Sequence, residues 1–346
     1  KTELLKALKQ VPAEQKKGMD FLIAYMPEKD LKSLKADFLL ENVALAYKAR
    51  ETYPWAKQVP EEIFLNDVLP YASLNERRDN WRQDFHDRFS KHVKDVKTMQ
   101  EAILAINAAI KKEVNVEYST KRKKPDQSPY ESMEINKASC TGLSILLTDA
   151  FRSVGIPSRV AGTPAWTTKR GNHNWSEVWL PEKKQWLFTE YYLDKNGLDH
   201  GWFLADAAMA NPKSLYHSIY ASSWKKTQHY FPLVWDIKNK SVPAVNVSER
   251  YIKLGGGDKK GKAETCELRI DYTLDGKRTA IPVAVIQGDV EIQKGSTPPP
   301  THDMNRYFTA AIKKGQLYKV VWQLPGEKKW RSKQVKANAD DKFLRI

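Results

Sequence analysis

Apolar residues recur at helical spacing through the first third of the chain. Leu4, Leu5, Leu8 and Val11 form one such set, and Met99, Ala102, Ile103, Ile106 and Ile110 form another. A period of about 3.6 residues places each set on one face of an amphipathic helix. Prolines at positions 12, 27, 54, 60 and 70 divide this pattern into successive helices. We therefore predict an N-terminal helical region over residues 1–118.

Near residue 242 the pattern changes to short alternating runs. Strands are predicted at 245–252, 267–273, 281–286 and 316–323, with Asp275-Gly276 as a two-residue hairpin turn. This spacing predicts a small C-terminal β-sandwich over residues 242–346. Residues 119–241 remain as a central region, which begins with a Lys-, Pro- and Ser-rich segment at 119–136 that we interpret as a loop. The whole chain is thus predicted to be an α+β protein of three domains.

A single cysteine begins the most regular helix of the central region. Apolar side chains follow it at Leu143, Leu146, Leu147, Ala150, Phe151 and Val154. Ser139 is suited to cap the start of this helix, and Gly155 and Pro157 to end it. Cys140 therefore lies in the first turn, where free N–H groups and the helix dipole favour an anion. A thiolate at such a position is a candidate nucleophile.

A histidine and a carboxylate follow Cys140 on two aromatic, β-branched segments. His173 begins the first predicted strand and Glu190 ends the second, with a turn at residues 181–184 between them. A hairpin brings these two ends together, so Glu190 can orient the imidazole that removes the Cys140 proton. The competing interpretation is a small buried cysteine and a histidine that caps a strand. The order of the three residues favours the catalytic interpretation.

Four linked segments resemble the core of the transglutaminase-like (papain-like) superfamily. They are the Cys140 helix, RSVGIPSRVAG at 152–162, HNWSEVWLP at 173–181 and QWLFTE at 185–190. The resemblance implies that Cys140 is the nucleophile, that His173 is the base and that Trp175 helps to bind substrate. It also implies a papain- or transglutaminase-like fold for residues 119–241. The family's third position is usually Asp and here is Glu190, with Asp194 as the alternative if the strand register differs.

Composition narrows the classes of partner. The chain has 57 basic and 42 acidic residues, a net charge of +15, with basic clusters at 121–124, 258–262 and 328–333. These clusters rarely alternate with aromatic residues and accompany no nucleic-acid fold signature, so we interpret them as solvated surface and predict no nucleic-acid partner. The only other cysteine, Cys266, lies in a strand-like run and is expected to be inert. No HExxH, CxxC or EF-hand pattern is present, so neither a metal nor a cofactor is predicted.

The favoured function is thiol-dependent acyl transfer on amide bonds, as in a peptidase, an amidase or a transamidase. A peptide or protein is the expected substrate, with the cell-wall peptide as the favoured example. The alternative is a catalytically silent binding or scaffolding protein.

No run of about 18 apolar residues exists, so no membrane-spanning segment is expected. Residues 51–64 resemble the N-terminal region of bacterial envelope-associated members, so we expect a periplasmic, cell-surface or secreted protein whose signal lies upstream of residue 1. The acceptor and the oligomeric state stay open.

Overall fold

A computed structural model describes residues 2–168, 171–256, 264–338 and 343–345. Helices and strands are mixed along the chain, which confirms the predicted α+β class. The chain divides into two compact units, one of residues 1–167 and 172–256 and the other of residues 168–171 and 257–346. The first unit contains Cys140, His173 and Glu190.

Among the described residues, eight helices lie within the region where periodicity predicts helices, and four more follow it. The helices are α1 (Thr2–Gln10), α2 (Lys16–Tyr25), α3 (Glu28–Ser33), α4 (Ala36–Thr52), α5 (Pro54–Lys57), α6 (Glu61–Asp67), α7 (Arg82–Phe89), α8 (Met99–Val114), α9 (Pro129–Ile135), α10 (Cys140–Ser153), α11 (Leu204–Ala207) and α12 (Ser248–Leu254). Two short 3₁₀ turns lie at Ala13–Gln15 and Ser90–His92. Helix α9 corrects the interpretation of 119–136 as a loop throughout.

The strands of the first unit form one antiparallel sheet of six and one parallel pair. They are β1 (Glu117–Tyr118), β2 (Lys137–Ala138), β3 (Ser158–Thr163), β4 (His173–Leu180), β5 (Gln185–Thr189), β6 (Tyr220–Ser222), β7 (His229–Tyr230) and β8 (Pro243–Asn246). The six-stranded sheet has the order β5-β4-β3-β6-β8-β7, and β1 pairs with β2. The predicted hairpin is confirmed, since β4 pairs with β5 in the register Ser176↔Thr189.

Helix α10 lies at the centre of the first unit. Every residue from Thr141 to Ser153 is buried, and the helix packs against α7, β3 and β4. One hydrophobic core extends from Ala7 in α1 through α10 to Leu180 at the end of β4. The N-terminal helices and the Cys140 helix therefore fold around a shared core. This differs from the predicted division at residue 118, because periodicity shows that a helix has a buried face but not what covers it.

Arg82 of α7 ties the N-terminal helices to α10 from within this core. It is 2% exposed. Its guanidinium donates hydrogen bonds to the three carbonyls of residues 68–70, to the carbonyl of Arg152 and to the side chain of Asn42. Five buried acceptors thus receive hydrogen bonds from one side chain, which makes Arg82 a structural centre of this unit.

The predicted boundary at residue 242 also differs from the structural one. Strand β8 pairs with β6 in the register Ala221↔Val245, so it belongs to the sheet of the first unit. The predicted strand at 245–252 is wrong after residue 246, since residues 248–254 form α12. Tyr251 on this helix is fully buried beneath the same sheet. The first unit accordingly continues to residue 256.

In its described residues, the second unit contains two sheets and a short hairpin. Its strands are β9 (Thr265–Ile270), β10 (Thr273–Leu274), β11 (Lys277–Arg278), β12 (Pro282–Gln287), β13 (Val290–Ser296), β14 (Phe308–Lys313), β15 (Leu317–Gln323), β16 (Trp330–Lys336) and β17 (Phe343–Arg345). The sheet orders are β13-β12-β15-β16 and β14-β9-β17, and side chains of both sheets share one core. Cys266 is 2% exposed in that core. Asp275 and Gly276 have φ values of 49° and 75°, so the predicted hairpin turn is confirmed.

Across the described residues, no helix combines the length and apolar character that crossing a bilayer requires.

Candidate active site

Cys140 is the first residue of α10 and is partly exposed. Ser139 caps the helix as predicted, because its Oγ accepts a hydrogen bond from the Gly142 N–H at 3.1 Å. The same hydroxyl donates to the carbonyl of Pro125 at 2.5 Å, which fixes the approach of the chain to the helix. The N–H of Cys140 has no carbonyl partner within the helix, since the first turn of any α-helix leaves its donors unpaired. The thiol is therefore adjacent to donors that favour negative charge.

His173 and Glu190 meet at the open end of the β4–β5 hairpin. The His173 Nε2 and Glu190 Oε1 atoms are 2.6 Å apart. The two side chains are only 10% and 16% exposed, so water competes weakly for this hydrogen bond. A short, shielded imidazole–carboxylate hydrogen bond fixes both the orientation of the ring and the nitrogen that carries its proton.

The charge state of His173 depends on its two neighbours. Burial lowers the pKa of His173, but the side chains of Cys140 and Glu190 more than offset this and raise it to about 10. The other ring nitrogen, Nδ1, is buried and makes no hydrogen bond of standard geometry with any described residue. Interactions with the side chains of Cys140 and Glu190 both raise the pKa of the ring. With a pKa of about 10, the imidazole is protonated at neutral pH.

Aromatic rings enclose the imidazole. Ring centroids of Trp202, Phe203 and Trp175 lie 4.9, 5.2 and 5.8 Å from that of His173. The Trp202 indole N–H also donates to Glu190 Oε1 at 3.2 Å. Trp202 is 43% exposed, so it covers the imidazole–carboxylate pair on the solvent side. These contacts leave the ring little freedom to rotate away from Cys140.

Trp175 is supported in turn by a buried ionic network. Its indole N–H donates to the Tyr251 hydroxyl at 2.6 Å, and that hydroxyl donates to Glu177 Oε1 at 2.8 Å. Glu177 is fully buried and pairs with Arg159 at 2.7 Å and with Arg250 at 3.4 Å. Burial, with the Glu177 charge, raises the pKa of Tyr251 well above its ordinary value, so the phenol stays protonated and can donate. The network fixes Trp175, and through it one side of the His173 ring.

A second link joins β4 directly to the first turn of α10. Asn174 follows His173 and donates through Nδ2 to the Thr141 hydroxyl at 2.7 Å. Gly162 on β3 allows this arrangement, because a Cβ at that position would overlap Asn174 Oδ1. This hydrogen bond joins the strand that carries the imidazole to the helix that carries the thiol, through the residue that follows His173 and the residue that follows Cys140.

Comparison with known proteins finds a family match for the segment that contains these residues. Residues 87–207 match the model of the transglutaminase-like superfamily. The chain contains a transglutaminase-like domain. The matched segment includes α10, β3, β4 and β5, and with them Cys140, His173 and Glu190. No curated protein sequence matches the chain significantly.

Three solved structures resemble parts of this chain. A proposed cysteine protease from Cytophaga hutchinsonii has 19% identity over 44% of this chain and 50% of its own, with a TM-score of 0.32. A TGase has 15% identity over 32% and 31% of the two chains, with a TM-score of 0.26. The transglutaminase of red sea bream has 9% identity over 86% and 59%, with a TM-score of 0.29. The present chain thus spans between about a third and three fifths of the length of these proteins.

The transglutaminase-like domain brings together three of the residues singled out from the sequence. Cys140 and Glu190 both act on His173. Asp194 does not reach this group and instead accepts a hydrogen bond from the Asn196 N–H at 2.8 Å in a turn. The expectation that Trp175 contacts substrate needs correction, because this side chain is fully buried and packs behind the imidazole.

Sequence reasoning missed several residues that complete the site of the transglutaminase-like domain. They are Thr141, Asn174, Trp202, Phe203 and Tyr251. Asn174 and Thr141 adjoin predicted catalytic residues, so their neighbours alone could have drawn attention to them. Trp202 and Tyr251 lie 12 and 61 positions beyond Glu190 in the chain, and no spacing rule connects them to it. Among the described residues, no group of three His, Cys, Asp or Glu side chains is arranged to hold a metal ion.

Proposed function

We propose that this site catalyses thiol-dependent acyl transfer on amide bonds, with Cys140 as nucleophile, His173 as acid and base, and Glu190 as the group that orients the imidazole. The observation that supports this most directly is the state of His173. Burial alone favours a neutral ring, yet Cys140 and Glu190 together raise the pKa of His173 to about 10. An imidazolium held beside a thiol at a helix N-terminus favours the thiolate, which is the reactive form of cysteine.

The chemistry follows from these positions. The Cys140 thiolate attacks the amide carbonyl carbon, a C–S bond forms and the carbonyl oxygen becomes an oxyanion. The N–H of Cys140 at the start of α10 is available to donate to that oxyanion. His173 then gives its proton to the amide nitrogen as the C–N bond breaks, which releases an amine and leaves a thioester. Water or a second amine attacks the thioester and loses a proton to His173, so that an acid or a new amide leaves and the thiolate–imidazolium pair is restored.

A peptide or protein is the proposed substrate, with the cell-wall peptide as the favoured class and the periplasm or cell surface as the proposed location. The finer layout is part of the same proposal: a papain-like core that carries the thiol and an appended β-sandwich that positions substrate. The alternative is a catalytically silent binding or scaffolding protein. The enclosed His173, hydrogen-bonded to Glu190, favours the enzyme, because a binding surface has no need of a charged ring held at 10% exposure.

The pH dependence of cysteine alkylation tests this proposal. Cys140 and Cys266 are labelled with iodoacetamide between pH 5 and 9 and quantified by peptide mass spectrometry. Cys140 is expected to react well below pH 7, and Cys266, which is buried in the other unit, to remain unlabelled until the protein is denatured. His173→Ala is expected to remove the low-pH reactivity of Cys140. If Cys140 is alkylated equally in both proteins, the thiol–imidazole pair does not exist and the scaffolding alternative is preferred.

A further inference from the structure

The basic loop before the Cys140 helix is anchored beside the thiol at both of its ends. At its start, the Ser119 N–H donates to the Ala138 carbonyl at 2.9 Å. At its end, the Pro125 carbonyl accepts from Ser139 Oγ at 2.5 Å. Ala138 and Ser139 are the two residues that immediately precede Cys140. The residues between these anchors, 120–124, therefore lie on a wall next to the nucleophile rather than on a distant connection.

The four basic residues of this loop are not equivalent. Lys123 pairs with Glu134 at 3.4 Å, and Lys124 pairs with Glu131 at 3.0 Å, so α9 neutralises both. No carboxylate within the described parts of the chain pairs with Lys121 or Arg122. The two unpaired positive charges, on Lys121 and Arg122, therefore lie in the first half of the loop, close to the hydrogen bond between Ser119 and Ala138.

Arg122 is also held in place. Its Nη1 donates to the carbonyl of Ser119 at 3.2 Å, and its guanidinium lies 6.0 Å from the centre of the Tyr118 ring. The Tyr118 N–H donates to the hydroxyl of Tyr192 at 3.0 Å, and Tyr192 is two residues beyond Glu190. Arg122 is thus connected through Tyr118 to the carboxylate side of the site and through Ser119 to the thiol side. A guanidinium at this rim keeps several donors for a planar anion.

We propose that Arg122, assisted by Lys121, makes this site selective for acyl donors that carry a carboxylate close to the scissile amide. The inference rests on the proposed acyl transfer and adds the substrate class: a peptide with either an acidic side chain or a free α-carboxylate next to the reacting carbonyl. A forked guanidinium binds a carboxylate through two parallel hydrogen bonds, which fixes the donor's orientation as well as attracting it. Lys121 contributes charge at the exposed side of the same rim.

Charged and neutral alkylating agents test this selectivity at the thiol itself, so the natural substrate does not have to be identified first. Iodoacetate and iodoacetamide differ by one carboxylate next to the reacting carbon, and the ratio of their rates on Cys140 at one pH cancels the thiolate fraction. Two chloroacetyl probes, chloroacetyl-Glu-amide and chloroacetyl-Ala with a free carboxylate, are compared with chloroacetyl-Gln-amide to distinguish the side-chain carboxylate from the α-carboxylate. Arg122→Gln is expected to lower the anionic-to-neutral ratio by roughly three- to tenfold, the range expected for one unit charge near a partly exposed site.

Lys123→Gln is the matched control, because it removes one positive charge from the same loop at a position already paired with Glu134. It is expected to change the ratio less than about twofold. An equal ratio in Arg122→Gln and the parent protein overturns the inference, as does an equal fall in both variants. Measurement at pH 9, where ordinary thiols also react, separates the two proposals. Two results together would refute acyl transfer but support the carboxylate site. They are an anionic-to-neutral ratio at pH 9 that falls in Arg122→Gln, and a Cys140 that does not react below pH 7.

Discussion

Replacing Glu190 by Gln is the most direct test of the electrostatics of this site. The substitution keeps the size and a hydrogen-bonding oxygen of the side chain but removes its charge. It therefore leaves the shape of the hairpin end and the covering contact of Trp202 in place. What it removes is the charge-assisted part of the 2.6 Å bond to His173 Nε2.

The size of the effect follows from the nature of this bond. Hydrogen bonds to charged groups contribute about 1.5–3 kcal/mol, and about 1.4 kcal/mol corresponds to one pKa unit. His173 is 10% exposed, so little of the interaction is screened by water. Since the pKa of His173 is about 10 with Glu190 in place, we expect Glu190→Gln to lower it by about 1 to 2. Cys140 still raises the pKa of the ring in the variant, so the imidazolium survives at pH 7 but is lost by about pH 9.

Nitrogen-15 NMR of the imidazole measures this directly. The chain has seven histidines, and the spectrum of His173→Gln identifies the signal of His173 by its absence. Asp194→Asn is the matched control, since it makes the same kind of change at a carboxylate that lies outside the site. A His173 that titrates near its ordinary pKa of 6.5 in the parent protein, or one whose midpoint is the same in parent and Glu190→Gln, would refute this account of the site.

Three further predictions follow from the described contacts. Because the folded-state pKa of His173 is raised from 6.5 to about 10, its contribution to the free energy of unfolding is complete below pH 6.5 and lost as pH rises through about 10. Urea titrations at pH 6, 8 and 10 are expected to show this loss of stability in the parent protein but not in His173→Gln. Gly162→Ala places a Cβ in the space of Asn174 Oδ1, so we expect slower iodoacetamide labelling of Cys140 and a loss of stability of about 1–3 kcal/mol. Thr141→Ala leaves the buried Asn174 amide without its acceptor and is expected to slow the labelling as well. Arg82→Met removes five buried hydrogen bonds, and urea unfolding is expected to show a loss of at least about 3 kcal/mol, whereas a loss below about 1 kcal/mol would contradict its structural role.

The parts of the fold that the sequence predicts well are those with local signals. Helix α10 has an N-cap at Ser139 and a left-handed Gly155 just beyond its last turn, with a φ of 75°. The β4–β5 hairpin has regular alternation and a clear turn. Helix α9 is absent from the sequence prediction although its signals are also local: Ser128 and Glu131 form a capping box, and Pro129 occupies the first turn. The high Lys and Ser content of 119–136 hides that pattern.

Other features depend on contacts that no local pattern contains. Residues 245–252 alternate like a strand, but residues 248–254 form a helix that buries Tyr251 against Trp175 and Glu177. The burial of Tyr251 and its bond to Glu177, distant in sequence, outweigh the propensity of a segment this short. The same contacts decide the position of Trp175. An aromatic residue after a histidine fits either a substrate groove or a packed core, and only the neighbours supplied by α12 distinguish the two.

The position of His173 shows how far these distant contacts determine chemistry. A buried imidazole is ordinarily neutral, because burial penalises its charged form. Here Glu190 and Cys140 reverse that preference and raise the pKa of the ring. The ring is held in place by Trp202 and Trp175, and its strand is held by the hydrogen bond between Asn174 and Thr141. The sequence identifies the three groups of the proposed site, whereas the tertiary structure determines that the imidazole is charged. Since an imidazolium favours ionisation of a neighbouring thiol, substitutions among these supporting residues should alter the pH dependence of Cys140 labelling before they alter the fold.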